Sequence, residues 1–282
     1  MTETVNNALR RAASRLSKAG VATPDRDVRR LMAHVLDVEM AELSARGSDI
    51  LPDRINKAFE TIIERREGRE PVSHLVGYRD FWTSRFKVTP DVLDPRPETE
   101  TLVACALEGS FERVLELGVG SGAVLISLLL ERPGARGVGT DISAEAVLIA
   151  GQNAEALGVA DRITLPLSDW FDDVGGRYDL IVSNPPYIAA SEMAALAPEV
   201  RQFEPRSALT DEQDGLSAYR KIAERASQFM NTNGRVLVEI GPTQAAEVVS
   251  LFTEAGFSEV RIHKDFDGRD RVVEAGKGVK TS

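Results

Sequence analysis

The sequence predicts an α/β protein: a Rossmann-like, doubly wound parallel sheet, preceded by a small helical bundle and joined to it by a β-hairpin. Three observations carry this. From residue 96 onward, short apolar runs alternate with stretches of helical length, as repeated β–α units require. Before residue 71, apolar residues recur only at helical spacing. Between the two lies a stretch of aromatic and β-branched residues broken by turn formers. The expected domains are 1–71, 72–95 and 96–282.

In the first domain Val5, Leu9, Ala12, Ala13 and Leu16 share a helical face, and Gly20 ends the run. Thr23 as N-cap and Pro24 in the first turn open the next helix, with Val28, Leu31, Met32, Val35 and Leu36 inward. A further helix starts near Pro52, turns Ile55, Phe59, Ile62 and Ile63 inward, and stops at Gly68. Short amphipathic helices of this kind bury their stripes against one another. From Val72 to Val92, the run Phe81, Trp82, Phe86, Val88, Val92 is punctuated by Gly77, Thr83, Ser84 and Pro90, which reads as a hairpin. Asp94-Pro95-Arg96-Pro97 makes a stiff turn, and Glu98 begins a helix with acid in its first turn. Strands are then expected at 113–117, 137–141, 162–166, 180–183, 235–240, 259–263 and 271–274, and helices at 122–131, 144–157, 217–232 and 244–255. With no helix between them, the last two strands read as an antiparallel hairpin.

Composition narrows the class. The 282 residues suffice for one large and one small domain. No apolar run approaches the ~20 residues that span a bilayer, and Met1 to Arg11 holds no signal-peptide core. A cytoplasmic protein without membrane contact is expected. Cys105 lies in an apolar stretch and reads as packing. His34, His74 and His263 are far apart in sequence, so no metal is expected. The net charge of −10 is uneven: residues 1–95 hold 16 basic and 15 acidic side chains, the rest 18 and 29. Nucleic-acid binders concentrate positive charge where they meet phosphate. The larger part of this chain does the reverse, which argues against a direct nucleic-acid partner. A monomer is the default expectation.

Val114-Leu115-Glu116-Leu117-Gly118-Val119-Gly120-Ser121-Gly122 feeds a strand through a glycine-rich turn into a helix. Such a turn lets a ligand approach the backbone closely. The spacing is not that of the dinucleotide fingerprint, and no Gly-Lys-Ser/Thr follows to grip a triphosphate. Asp141, 19 residues after Gly122 at the tip of the second strand, suits two ribose hydroxyls. After the third strand, Asp169 can accept an exocyclic amine and Trp170 can cover a ring face. A nucleoside cofactor follows, its identity left open.

The end of the fourth strand, Ile181-Val182-Ser183-Asn184-Pro185-Pro186-Tyr187, is more specific. Two prolines remove backbone donors and leave carbonyl acceptors, and Asn184 adds a side-chain carbonyl. The loop suits a planar NH2 group, whose delocalised lone pair makes it a poor nucleophile. Fixing both N–H bonds aims that lone pair at an electrophilic carbon, so orientation supplies most of the acceleration. Tyr187 can stack on the planar group. The motif resembles that of amino-methyltransferases acting on adenine, on guanine or on protein glutamine, and does not choose among them.

Other segments do choose. Pro95-Arg96-Pro97-Glu98-Thr99-Glu100 resembles the signature of the HemK/PrmC family of peptide chain release factor glutamine methyltransferases. So do Glu204-Pro205-Arg206, Asp214-Gly215-Leu216 with Tyr219, Val238-Glu239-Ile240-Gly241 with Gln244, and Gly268-Arg269-Asp270-Arg271. The resemblance covers essentially the whole chain. It implies a class I S-adenosylmethionine-dependent methyltransferase sheet, with S-adenosyl-L-homocysteine as product and release factors as protein substrate. Carried over, Gly118, Val119, Gly120, Ser121, Gly122, Asp141, Trp170 and Asn184 are the expected cofactor contacts, with Asp169 added from its place after the third strand. Asn184, Pro185, Pro186 and Tyr187 are the expected substrate site, with Asn184 and Pro185 catalytic, and residues 1–71 dock the substrate. This sequence departs at Asp94, where the family usually has an aliphatic residue, and at Glu116, where Asp is common. Asp94 is expected near the pocket mouth. Arg96, Glu98 and Glu100 read either as an ion-paired helix start or as closure of the substrate pocket. Methylation of a ribosomal-protein glutamine, of a nucleic-acid base, or a helical adaptor on an inactive cofactor fold are the competing functions.

Overall fold

The computed structural model describes residues 3–277. The first helices are α1 (Val5–Lys18), α2 (Pro24–Leu36), α3 (Met40–Leu43), α4 (Asp53–Glu67) and α5 (Val72–Val76). Strands β1 (Tyr78–Phe81) and β2 (Ser84–Lys87) pair as a separate two-stranded sheet. After α6 (Glu100–Leu107) come β3 (Arg113–Leu117), α7 (Ala123–Glu131), β4 (Arg136–Thr140), α8 (Ala144–Ala156), β5 (Ile163–Thr164) and β6 (Tyr178–Ser183). Then follow α9 (Pro198–Phe203), α10 (Ser217–Phe229), β7 (Met230–Glu239), α11 (Ala245–Glu254), β8 (Glu259–Lys264) and β9 (Asp270–Gly276).

These elements form two compact units, one of Met1–Tyr78 with Ala197–Phe203, the other of Arg79–Leu196 with Glu204–Ser282. In the first, the helical stripes meet in one core that includes Leu16, Leu31, Phe59 and Ile63. Thr4 caps α1, its hydroxyl accepting Asn7 N–H. Thr23 does not cap α2; its hydroxyl donates to Asp27 Oδ1 at 3.0 Å instead. Residues 72–76 are helical rather than the start of the hairpin. Pro71 precedes them, Gly77 closes them at φ 83°, and Leu75 and Val76 join the bundle core.

In the second unit, a seven-stranded sheet runs β5-β4-β3-β6-β7-β9-β8. The five strands from β5 to β7 are parallel, and β9 and β8 complete the sheet antiparallel. Alternate residues along a strand face opposite sides. Val114, Leu180 and Val182 accordingly pack under α6 and α7, while Leu115, Leu117 and Ile181 pack under α10 and α11. The chain builds outward from β3 to β5, then crosses back to β6. The order of strands therefore reverses between β3 and β6, where an open α/β sheet forms its ligand crevice.

Candidate active site

At that reversal β3 and β6 are held in register, Leu117 beside Ser183, and the Ser183 hydroxyl donates to Leu117 O at 2.7 Å. The loop 118–122 and Asn184 therefore leave the sheet side by side. A cavity of about 590 Å³ opens there, a size typical of small-molecule sites. Gly118, Val119, Gly120, Ser121, Asp141, Asp169, Trp170, Asn184 and Pro186 all line it. Gly118 and Gly120 have φ of 73° and 52°, and a side chain at either would meet no protein atom within 4 Å. Backbone conformation, not packing, makes glycine the fitting residue there. Gly122 lies outside the lining; its φ of 80° and the approach of Ala150 on α8 to 3.3 Å of a Cβ built there both favour glycine.

Asp141 follows β4 directly. Its Oδ2 accepts Gly120 N–H at 2.9 Å and its Oδ1 accepts Ser143 N–H at 3.0 Å, so it braces the glycine loop against the start of α8. Burial raises its pKa, and the N–H groups of Ser143, Gly120 and Ile142 oppose the rise. Ser143, not Asp141, caps α8, accepting Ala146 N–H at 3.1 Å. Glu116 is buried on β3 and accepts Leu125 N–H at 3.0 Å. Burial pushes its carboxyl well above the ordinary range, Leu125 N–H lowers it, and Asp141 raises it further. Trp170 holds its position on the lining at φ 54°, a strained conformation for a bulky residue. Asp169 is exposed and faces Lys221 Nζ at 3.6 Å.

Asn184 Nδ2 donates to Thr99 Oγ1 at 3.2 Å, which ties the β6 loop to the Pro-Arg-Pro-Glu-Thr-Glu segment. Pro185 is buried and Tyr187 half-buried, and neither is on the cavity lining. Tyr187 packs against the core under α10 and α11, and burial pushes its phenol up to about 12. Its carbonyl accepts Gln244 Nε2 at 2.9 Å. Arg96 Nη2 meets both oxygens of the buried Glu204 at 2.7 Å, and Glu100 Oε1 accepts Trp82 N–H at 2.9 Å. Asp94 does not stand on the cavity lining; it is 5% exposed, between Arg79 at 3.5 Å and Arg96 at 3.9 Å. Of Arg96, Glu98 and Glu100, Arg96 is ion-paired, with Glu204, and Glu100 accepts a backbone N–H, while Pro95 and Thr99 reach the cavity.

Sequence reasoning missed Ile142, 68% exposed on the lining, and Lys221. An apolar residue straight after the strand-tip acid was the available signal for Ile142. Lys221 sits mid-helix among other charges and gave none. Elsewhere the fold brings ligand atoms of Cys105, Glu108 and His263 within 4.8 Å of one another. Burial pushes the Cys105 thiol up to about 11, and His263 Nε2 is engaged by Glu274 Oε2 at 2.8 Å. Neither favours metal binding, which wants a thiolate and a free imidazole nitrogen.

Residues 7–77 match the model of the PrmC N-terminal domain, and residues 93–200 that of the methyltransferase small domain. The release factor glutamine methyltransferase of Cereibacter sphaeroides is 51% identical over 95% of this chain and 97% of its own. That of Rhodospirillum rubrum is 44% identical over 93% and 82%. Among solved structures, a methyltransferase from Pyrococcus furiosus aligns with a TM-score of 0.54 at 18% identity, covering 78% of this chain and 98% of that one. The hMettl16 catalytic domain in complex with MAT2A 3'UTR hairpin 6 aligns at 0.58 and 14%, covering 83% and 87%. At those identities the two structures attest the methyltransferase fold alone. The relatives, similar from end to end, attest more: this chain belongs to the release factor glutamine methyltransferase family.

Proposed function

We propose that this chain transfers a methyl group from S-adenosylmethionine to the side-chain amide nitrogen of the glutamine in the Gly-Gly-Gln motif of peptide chain release factors. One observation carries the reading. The nitrogen-directing loop opens, through Asn184 and Pro186, on the same cavity as the glycine loop and Asp141. The cavity suits the cofactor: an acid braced at a strand tip for ribose hydroxyls, an exposed apolar Ile142 for the adenine ring, and Trp170 beside it. Gly118 to Ser121 approach its backbone-facing side, and Asp169 accepts the adenine amine. When bound, the cofactor supplies an electrophilic sulfonium methyl.

The chain's own contribution is orientation. Asn184 Oδ1 and the carbonyl of Pro185 accept the two N–H bonds of the glutamine amide, Pro186 lines the slot, and Tyr187, off the lining, anchors the loop through Gln244. The nitrogen need not lose a proton before transfer and sheds one to solvent afterwards, so placement lowers the barrier without a general base. An amide alone offers few contacts, so selectivity needs surface beyond the pocket. The helical unit, which carries no catalytic motif, is assigned to docking. A monomer acting in the cytoplasm is part of the same proposal; among the described residues no helix is long and apolar enough to cross a membrane.

The test incubates the chain with methyl-labelled cofactor and a release factor, the same factor with alanine in place of that glutamine, a ribosomal protein fraction, and DNA. Label confined to the unaltered release factor supports the proposal. Label on the alanine form, or only on the other two, overturns it.

A further inference from the structure

Behind Asn184 lies a buried acid that the transfer itself does not use. Glu239, the last residue of β7, is 1% exposed, and its Oε2 has no hydrogen-bond partner among the described residues. The Thr99 hydroxyl, 4% exposed, lies close enough to this carboxyl to lower its pKa. The same hydroxyl oxygen accepts Asn184 Nδ2 at 3.2 Å. Carboxyl, hydroxyl and amide are thus neighbours, and Thr99 and Asn184 line the cavity. A hydroxyl has one proton to give and a carboxylate has none. With Glu239 ionised, the Thr99 proton turns toward it. The Thr99 oxygen can then only accept, and the amide that meets it must offer Nδ2.

We propose that Thr99 and Glu239 are positioning residues: the carboxylate orders the hydroxyl, and the hydroxyl orders the Asn184 amide so that its oxygen, not its nitrogen, meets the substrate. The inference rests on the reading of Asn184 as an acceptor for the substrate amide. A reversed Asn184 would set N–H against N–H and lose that contact. Protonating Glu239 removes the ordering, because a carboxylic acid can donate to Thr99 and free the hydroxyl proton for Asn184 Oδ1.

Burial pushes the Glu239 carboxyl up to about 7; the Thr99 hydroxyl and Arg271 oppose the rise, Glu98 adds to it, and Arg96 opposes it. Tyr187 and Tyr219 also feel this group, and burial raises both phenols above their ordinary value, so neither ionises near neutral pH. The ordering is therefore present above about pH 7 and fades below it.

The full chain is compared with Thr99→Val, Thr99→Ser and Glu239→Gln. With saturating cofactor and release factor, Thr99→Val is expected to lower kcat about tenfold or more with cofactor affinity unchanged by calorimetry. Thr99→Ser, which keeps the hydroxyl, restores most of the rate. Wild-type kcat rises through about pH 7, and Glu239→Gln lacks that step. Independently of turnover, the Asn184 side-chain NH2 resonances, assigned with Asn184→Asp, are expected to titrate near pH 7 in the wild type and not in Glu239→Gln or Thr99→Val. If the wild-type chain methylates no release factor, the functional reading falls, and the resonances still decide the relay. Wild-type kcat in Thr99→Val, or an unaltered Asn184 titration in Glu239→Gln, overturns it.

Discussion

Asn184 and Asp141 line one cavity but are tied to different partners, and their substitutions should separate accordingly. On the proposed function, Asn184→Ala removes an acceptor that orients the nucleophile. It should raise the barrier by on the order of 2–4 kcal/mol, by analogy with the loss of an oxyanion-hole donor. Calorimetry should show cofactor affinity much less affected; near-normal methyl incorporation would sink the assignment. Asp141→Ala should act mainly on the cofactor, raising its dissociation constant roughly tenfold or more, since hydrogen bonds to charged groups contribute about 1.5–3 kcal/mol. It also frees Gly120 N–H and Ser143 N–H, so Asp141→Asn, which keeps one acceptor, should lose less. Glu239 makes a different prediction. Its folded pKa of about 7 lies above the ordinary 4.5. The native state therefore holds this proton more tightly than the unfolded chain, and the group's contribution to stability falls as pH rises from 4.5 to about 7. Relative to wild type, Glu239→Gln should gain on the order of 3 kcal/mol across that window, read from urea unfolding at pH 5 and pH 8. A difference constant with pH would show that the carboxyl is not raised. Asn184 and Asp141 were legible in the sequence because each follows a strand inside a local pattern. The link from Asn184 to Thr99 spans 85 residues and becomes visible only when the sheet brings both to one place.

The strands of the large unit were readable because fully buried parallel strands are short apolar runs, and β3 begins and ends where expected, at Arg113–Leu117. Two of the departures have clear physical causes. β5 has only two residues, Ile163–Thr164, because an edge strand needs little pairing, and its apolar neighbours pack without joining the ladder. Val72–Val76 has β-branched ends and looked like a strand, but its core contacts and its Pro and Gly boundaries made it a helical turn. No periodicity shows how loops between elements are held. Gln244, just before α11, is a case in point. Its Nε2 donates to Tyr187 O at 2.9 Å and to Gly215 O at 3.3 Å, while its Oε1 accepts Gly241 N–H at 3.0 Å. One amide thus fixes three loop backbones. Gln244→Leu, similar in size, should leave these groups unpaired and cost about 1–3 kcal/mol in urea unfolding, with methyl transfer reduced as the β6 loop loosens. Unchanged stability would mean that water replaces the amide.

At the scale of the molecule, sequence patterning placed a helical unit before a catalytic one but could not show that the chain visits the first unit twice. Residues Ala197–Phe203, far along the catalytic sequence, belong with Met1–Tyr78. Charge explains their place better than apolar pattern does, since none of the residues of α9 is buried. Glu199 accepts from Arg69 at 2.7 Å and from Arg66 at 3.1 Å, and Arg66 also pairs with Asp27 at 2.9 Å. Arg66 is 5% exposed and Asp27 7%. A cut before Val72 would therefore remove both arginines and leave Glu199 without them, so loss of activity in that truncation would not by itself establish docking. Single substitution is the sharper probe. Removing one partner of a buried ion pair typically costs about 3–5 kcal/mol, because the charge left behind stays desolvated. Arg66→Ala should destabilise the helical unit by that order, with Asp27 stranded between α2 and α4. Arg69→Ala, whose partner is less buried and keeps Arg66, should cost less. Limited proteolysis should then cut between Ala197 and Phe203 faster in Arg66→Ala than in the wild type, while cofactor affinity, set by the other unit, stays unchanged. Equal cleavage rates in the two proteins would show that the arginine pairs do not hold this segment.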